Sequence, residues 1–449
     1  MALKHLMSII EQQRDSLKHP PASVTPALCG YPPVFSPPCF GRAEGTARAR
    51  SRDAQASLGN NTESSSPPLH ANSLETVVRW ALRLERYSKK TVIRNVLLKA
   101  SGYLDLPDQD NYEAYNKLPR VVKCIRTRCR DDADVQLMKE NETGNAFFAG
   151  AHVCGDSWKC PTCAAKIEAR RRNEVEQIID HKLSQGRKAL FATFTIPHTQ
   201  DQAAEVVYEN IKNALKYLRA GKSFQSFKSR CGFDGLIRSL EVTLGANGWH
   251  IHTHEVWFVD GDYSDFDFYD YIQDRWTKAC DKYNLIPRGK RKAFKERGFT
   301  LGFLRSDYLA KFDNAKYVQK LSSEITLSGV KHGRQGSLHP FQLAELAFAG
   351  GSFDKQAMAL FMEYSEAFKG KARMFFSKGL KAECLIDEKT DEEIALEEKE
   401  KSFRVCGFER HGFKRIVDQN AQGHIQNLAE SGGLSAVLEW FKPYPEDPI

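Results

Sequence analysis

The sequence predicts an α+β fold in which helices flank a central antiparallel sheet. The stretch 241–259 contains two apolar, β-rich runs joined by Gly245-Ala-Asn-Gly248, a pattern typical of a β-hairpin. A strand-like run from Ala189 to Thr195 precedes this hairpin, and helical patterns occur at 201–220, 266–284 and 307–324. Helical patterns at 340–349 and 353–369 and a strand-like run at 373–376 extend the arrangement.

The chain is expected to divide into several regions. Residues 1–73 are expected to be largely disordered, because residues 19–72 are rich in Pro, Ser, Gly and Ala and have little apolar periodicity. Residues 74–119 regain a helical pattern and are predicted as an accessory helical segment. A cysteine-rich module at 120–165, the α+β domain at 166–384 and a charged helical tail at 385–449 complete the predicted order.

Three histidines at alternating positions, His250, His252 and His254, follow the predicted hairpin turn. Side chains alternate between the two faces of a strand, so the three imidazoles share one face. With a two-residue tip, the antiparallel register places Glu241 directly opposite His252. Imidazoles and a carboxylate form a mixed ligand set that suits Mg²⁺ or Mn²⁺ acting as a Lewis acid. We therefore predict a catalytic metal site, and three histidines on a solvated strand face are the competing interpretation.

Eleven cysteines occur in the chain without a secretory signal, which favours thiols and metal ligands over disulfides. Cys160 and Cys163 have the spacing of a zinc knuckle. Cys154 and, further back, Cys129 can complete a tetrahedral thiolate shell, with Cys124 as a substitute for Cys129. We predict a structural Zn²⁺ site in this module, and a redox Cys-x-x-Cys pair is the competing interpretation.

The helical pattern at 307–324 contains a candidate nucleophile. Asp313 and Tyr317 are four residues apart and share one face of the predicted helix, while Lys316 and Lys320 flank the tyrosine. A phenol with a pKa of about 10 is a weak nucleophile at neutral pH, but neighbouring ammonium groups and a metal-polarised electrophile help it to react. Simple packing of an amphipathic helix is the alternative.

The composition favours a polyanionic partner. The formal net charge is +8, from 65 Lys and Arg against 57 Asp and Glu. The strongest basic run interleaves cations with Phe294 and is predicted to contact DNA through Arg288, Lys290, Arg291, Lys292, Lys295 and Arg297. A solvated loop is the alternative interpretation of this run. No stretch approaches the ~20 apolar residues of a membrane span and no signal peptide is evident, so we expect a cytoplasmic protein without a membrane partner.

Three segments resemble, in this order, the motifs of HUH endonucleases. They are Phe191-Ala-Thr-Phe-Thr-Ile-Pro-His198, Gly248-Trp-His-Ile-His-Thr-His254 and Ala315-Lys-Tyr-Val-Gln-Lys320. Further stretches resemble the single-tyrosine initiator proteins of rolling-circle plasmids: Cys154-Gly-Asp-Ser-Trp-Lys-Cys-Pro-Thr-Cys163, Gly336-Ser-Leu-His-Pro-Phe341, Glu363-Tyr-Ser-Glu-Ala-Phe-Lys-Gly370 and Phe376-Ser-Lys-Gly-Leu380. The resemblance covers roughly residues 120–382 and implies that the region 166–384 is an HUH endonuclease domain.

The resemblance implies an enzyme that nicks and transfers single strands of DNA. His252 and His254 match the main ligands of the catalytic Mg²⁺ or Mn²⁺, His250 is a third candidate, and Glu241 matches the site carboxylate. Tyr317 matches the catalytic tyrosine, which attacks a phosphodiester to give a 5′-phosphotyrosine link and a free 3′-OH.

The resemblance also bears on the remaining residues and partners. Asp313 lies where some members carry a glutamate that activates water at termination, and the surroundings of Cys129 resemble the family's upstream cysteine better than those of Cys124. The implied substrate is single-stranded or cruciform DNA at a plasmid origin in a bacterial cytoplasm, with host helicase and DNA polymerase as partners and a homodimer as one assembly. No G-x-x-x-x-G-K-[ST] phosphate loop occurs, which argues against a fused helicase.

Two other functions stay open at this point. A mobilisation relaxase or an HUH transposase uses the same histidine and tyrosine parts. A non-catalytic, zinc-containing nucleic-acid-binding protein would also be basic and rich in cysteine. The plasmid-type motifs favour the initiator over the first, and the histidines with Asp313 and Tyr317 disfavour the second.

Overall fold

The computed structural model describes residues 74–103, 117–302, 337–349, 351–397 and 401–442. Its helices are α1 (Leu74–Ala100), α2 (Arg120–Lys123), α3 (Pro161–Ser184), α4 (Ala204–Leu218), α5 (Gly221–Arg230), α6 (Asp265–Lys282), α7 (Arg291–Arg297), α8 (Pro340–Ala347), α9 (Lys355–Ala367), α10 (Leu380–Glu383), α11 (Asp391–Leu396), α12 (Arg410–Asp418) and α13 (Gln422–Phe441). Its strands are β1 (Val135–Glu140), β2 (Ala146–Ala149), β3 (Arg187–Thr195), β4 (Leu236–Gly245), β5 (Gly248–Asp260), β6 (Phe299–Gly302), β7 (Phe348–Ala349), β8 (Ser352–Phe353), β9 (Met374–Phe376) and β10 (Ser402–Phe408). None of these described helices combines the length and the apolar character needed to cross a membrane.

The predicted hairpin forms the centre of the main sheet. Within the described residues this sheet has the antiparallel strand order β6-β3-β5-β4-β9. β4 and β5 pair with Gly245 opposite Gly248, so the predicted two-residue tip is confirmed. Gly248 has a φ of +91°, and a Cβ there would lie 2.8 Å from the backbone oxygen of Thr199. Only glycine fits this position of the turn.

Helices cover both faces of the main sheet, which is the predicted α+β arrangement. On one face, α3 contributes Val175, Ile178 and Ile179 to a core that includes Ala189, Ile237, Val256 and Phe258 of the sheet. On the other face, Trp276 of α6 packs edge-on against Phe194, with ring centroids 5.1 Å apart. Because side chains alternate along β5, its histidines share the α3 face with Val256 and Phe258.

A second sheet joins segments that are far apart in sequence. Its antiparallel order is β10-β1-β2, and β10 comes from the region 385–449 that was expected as a charged helical tail. Phe408, Phe413 and Ile425 of this region bury their side chains against Leu137 and Phe148. The C-terminal region therefore contributes a strand and part of a hydrophobic core in addition to helices.

The accessory helix α1 is held by a buried carboxylate of α13. Glu430, with 3% of its side chain exposed, accepts hydrogen bonds from Trp80 Nε1 at 2.7 Å and from Arg83 of α1. The backbone nitrogen of Ala146, the first residue of β2, donates to the same carboxylate at 2.7 Å. The Glu430 carboxylate thus joins α1, α13 and the small sheet. The positive charge of Arg83 compensates the cost of burying this carboxylate.

Some predictions fall on residues that the structure does not describe. The segment 303–336 contains Asp313, Lys316, Tyr317 and Lys320, and it lies outside the described residues, as does the region 1–73.

Candidate metal centres

Two histidines and a glutamate meet on one face of the central hairpin. Glu241 pairs directly with His252, as the sequence predicts. Glu241 Oε2 lies 2.9 Å from His254 Nε2 and 3.3 Å from His252 Nε2, and the two Nε2 atoms are 3.0 Å apart. Each of the three side chains keeps 12–13% of its surface exposed, so the group is accessible from solvent. Three ligand atoms that converge in this way could hold a divalent cation.

Protonation of the carboxylate is strongly disfavoured in this group. Burial alone would raise the pKa of Glu241, but hydrogen bonds from His252 and His254 lower it well below its ordinary value. The glutamate is therefore an anion at any physiological pH. An anionic oxygen next to two imidazoles is the donor set that a hard or borderline cation requires.

Neighbouring side chains hold His254 in place. Its ring stacks on Phe191 of β3, with centroids 5.4 Å apart and an interplanar angle of 15°. Thr193 Oγ1 lies 3.0 Å from His254 Nδ1. In the tautomer in which Nε2 carries no proton and can bind a metal, this hydroxyl can accept the Nδ1 proton, which is the usual second contact of a metal-binding histidine.

His250 lies beside the group and has a different partner. Its Nδ1 is 3.0 Å from His198 Nε2, and His198 Nδ1 donates to the backbone oxygen of Asn247 at 3.0 Å. Burial, together with the neighbouring His252 and His198, lowers the pKa of His250 to about 4, so the ring is neutral at neutral pH. The structure thus brings together Glu241, His252 and His254, and places His250 with His198.

A glutamate that the sequence interpretation assigned no role positions the start of β5. Glu363 Oε1 of α9 accepts hydrogen bonds from Trp249 Nε1 at 2.8 Å and from the backbone nitrogen of Ala204 at 2.7 Å. Trp249 precedes His250 directly, and Ala204 is the first residue of α4. The motif that begins at Glu363 can be seen in the sequence. The hydrogen-bond partners of Glu363 lie more than a hundred residues away, and the motif alone does not identify them.

Four buried cysteines form the second centre. Cys124, Cys154, Cys160 and Cys163 place their sulfur atoms within 4.8 Å of one another. The closest pairs are 3.5 Å (Cys154 and Cys163), 3.6 Å (Cys124 and Cys163) and 3.7 Å (Cys160 and Cys124). A disulfide would need about 2.05 Å, whereas four sulfurs about 2.3 Å from one zinc ion lie about 3.8 Å apart. The group could therefore hold a metal such as zinc.

Cys124, and not Cys129, belongs to this group. Cys124 follows α2 directly and is fully buried, whereas Cys129 is exposed and its backbone nitrogen donates to the backbone oxygen of Gly150. The preference for Cys129 is thus corrected in favour of the substitute. Hydrogen bonds among the thiols lower the pKa of Cys124 well below its ordinary value and raise that of Cys163 well above it, as expected where several thiols share protons.

The predicted basic surface is present, but its aromatic residue, Phe294, is not exposed for stacking with bases. All six cations of the run are exposed on α7 or the loop before it, and Arg291 forms an ion pair with Asp281. Phe294 is buried, with 7% of its surface exposed. The cations could follow a phosphate backbone, whereas base stacking on Phe294 is excluded by its burial.

The described residues on either side of the segment 303–336 lie on the main sheet. Gly302 pairs with Phe191, the residue that stacks on His254. Leu338 forms a bridge with Leu244, close to the tip of the hairpin. The chain therefore leaves and re-enters the described structure near the histidine group.

Comparisons with known proteins agree with the motifs. Residues 145–286 match the family described as "Replication protein". "Protein rep" of Streptomyces lividans is 27% identical over 158 residues, covering 29% of this chain and 35% of that protein. A "Neomycin resistance protein" of Streptomyces cyanogenus is 29% identical over 155 residues, with the same shares covered. The chain thus spans about a third of the length of these curated relatives, and no solved structure matches it.

The matched stretch contains the whole histidine group and part of the cysteine group. It includes the histidine hairpin and three of the four cysteines, begins after Cys124 and ends before Arg288 and Tyr317. The match of residues 145–286 to a replication protein family confirms the likeness to replication proteins that the motifs predict.

Proposed function

We propose that the protein initiates rolling-circle replication of a plasmid by nicking single-stranded origin DNA and joining itself to the 5′ end. The observation that carries this proposal is the convergence of Glu241, His252 and His254 on one accessible face, inside the domain that matches replication proteins. Packing alone does not require this cluster, because a largely buried sheet face does not need two imidazoles directed at a carboxylate.

The donor set fits a catalytic Mg²⁺ or Mn²⁺, because it offers one anionic oxygen and two imidazole nitrogens. When bound, such an ion supplies positive charge to a non-bridging phosphate oxygen. The residues of the chain hold it in place: β4 contributes the carboxylate, β5 the imidazoles, and Phe191 and Thr193 of β3 fix the His254 ring. His250 is a further ligand in this proposal, and His198 is its hydrogen-bond partner.

Tyr317 is the proposed nucleophile. Its phenolic oxygen loses its proton to solvent and forms a bond to the phosphorus, the bond from phosphorus to the 3′ oxygen breaks, and this oxygen takes a proton from solvent and leaves as a free 3′-OH. Lys316 and Lys320 favour the phenolate by their charge. The sheet positions of Gly302 and Leu338, which flank the segment on either side, are compatible with a tyrosine that reaches the histidine group.

The remaining parts of the proposal concern DNA and zinc. The exposed cations from Arg288 to Arg297 contact the phosphate backbone of single-stranded or cruciform origin DNA. A structural Zn²⁺ is held by Cys124, Cys154, Cys160 and Cys163, whose sulfur spacing fits a tetrahedral shell. The new 3′-OH is extended by a host polymerase with a host helicase.

The proposal is tested with single-stranded oligonucleotides that tile the replicon carrying the gene. Incubation with Mn²⁺ is expected to give a covalent protein–DNA adduct with one oligonucleotide. Tyr317→Phe removes only the nucleophilic oxygen and should abolish the adduct while DNA binding persists. Tyr308→Phe, in the same segment, is the matched control and should leave the adduct intact.

Two outcomes would contradict the proposal. If the wild-type protein binds these oligonucleotides but forms no adduct with any of them, the non-catalytic interpretation is favoured. If the His252→Ala, His254→Ala double variant keeps full cleavage activity, the metal assignment fails even where Tyr317 is the nucleophile.

A further inference from the structure

Lys90 of α1 is a buried cation without a hydrogen-bond partner. Only 3% of its surface is exposed, and among the described residues no acceptor lies within reach of its Nζ atom. Its Nζ atom lies over the ring of Tyr87, 5.2 Å from the ring centroid. Burying an ammonium group without an acceptor is costly, so its surroundings must provide a compensating charge.

Lys90 lies near the segment that carries Cys124. Lys90 and Tyr87 line one small cavity together with Val121 and Arg126, which stand three residues before and two residues after Cys124. Lys90 thus lies over the loop that supplies one sulfur of the group.

With zinc bound, the cysteine centre would carry a negative charge, opposite to that of Lys90. Zn²⁺ bound by four thiolates carries a formal net charge of about −2, and here all four sulfurs belong to buried residues. A buried anion of this kind needs nearby hydrogen-bond donors or cations, which in metal sites come from residues around the ligands. An unpartnered ammonium beside Cys124 meets this need.

We propose that Lys90 is a positioning residue of the cysteine metal centre, where its buried ammonium balances the negative charge of the tetrathiolate. The inference rests on the proposed zinc site. It assigns a role to the accessory helix α1: this helix brings a compensating charge to a centre whose ligands all come from residues 124–163.

The test measures how tightly the full-length protein holds zinc. Lys90→Met keeps the length of the side chain and removes its charge, and it should weaken zinc binding in competition with a chromogenic chelator by about 10–100-fold. Lys90→Arg should recover part of this loss. Lys89→Met is the matched control, because Lys89 is the neighbouring residue on α1 and pairs with Glu85 at 2.6 Å, and it should bind zinc as the wild type does.

A spectroscopic measurement separates charge balance from general destabilisation. In Co²⁺-substituted protein, loss of a cation beside the sulfurs should shift the thiolate-to-cobalt charge-transfer band of Lys90→Met to longer wavelength, whereas a purely structural defect leaves the band in place. Unchanged zinc affinity and an unchanged band in Lys90→Met would overturn the role of Lys90 while the zinc site stands. A wild-type protein that binds neither zinc nor cobalt would overturn the site itself.

Discussion

Among the half-buried residues near the histidine hairpin, Glu363 should make a large contribution to the free energy of unfolding through its carboxylate. It accepts two hydrogen bonds, from Trp249 Nε1 and from the backbone nitrogen of Ala204, and these donors belong to residues that are 2% and 0% exposed. Hydrogen bonds to a charged group contribute about 1.5–3 kcal/mol each, and both donors would be left buried without a partner in Glu363→Ala. Because Glu363 is itself half-buried, water can reach part of the space, and we expect a loss of about 3 kcal/mol in the free energy of unfolding.

The measurement is urea unfolding followed by circular dichroism. Glu363→Gln keeps an oxygen acceptor without the charge and should lose about half as much, since charge-assisted hydrogen bonds are roughly twice as strong as neutral ones. Glu366→Ala is the control, because Glu366 lies on the same helix, is 69% exposed, and should change stability by no more than about 0.5 kcal/mol. If Glu363→Ala unfolds at the urea concentration of the control, the carboxylate does not hold Trp249 and α4 as described.

Three further predictions follow from the two centres and the basic surface. Cys124→Ser should lower the zinc content of the purified protein, whereas Cys129→Ser should leave it unchanged; elemental analysis that gives the opposite result would restore Cys129 as the ligand. Replacing both Arg288 and Lys290 by Ala should reduce the slope of log affinity against log salt for single-stranded DNA by about 1.4 if each contacts one phosphate, and an unchanged slope would mean that DNA passes elsewhere. Asp313→Ala should still nick an origin oligonucleotide but accumulate the phosphotyrosyl adduct, and release of closed circles at the wild-type rate would show that another group activates water.

The part of the fold that follows local rules could be predicted from the sequence. The glycine-bounded turn at 245–248 determines the register of the hairpin, and a period of two determines which residues share a face. These two rules suffice to place Glu241 opposite His252 and on the same face as His254. The pairing was therefore accessible without any knowledge of the rest of the chain.

The choice between Cys124 and Cys129 could not be made in this way. Both stand at a suitable distance in sequence from Cys154, and spacing alone does not say which is buried. The decision depends on tertiary structure: buried Cys124 directly follows the short helix α2, and the chain then turns at Ile125, with a φ of +50°, before it reaches the exposed Cys129. The strand β10 escaped prediction for a similar reason, because its partner β1 is more than two hundred residues away.

Aromatic residues from three of the stretches that resemble the plasmid initiators pack together between the two centres. Trp158, which stands between Cys154 and Cys160 in the sequence, accepts a hydrogen bond at its backbone oxygen from Tyr364 Oη at 2.9 Å. The ring of Tyr364 stacks on Trp249, with centroids 6.1 Å apart and an interplanar angle of 20°. Trp249 in turn precedes His250. A continuous path of packed aromatic side chains thus connects the cysteine loop to the histidine hairpin through α9.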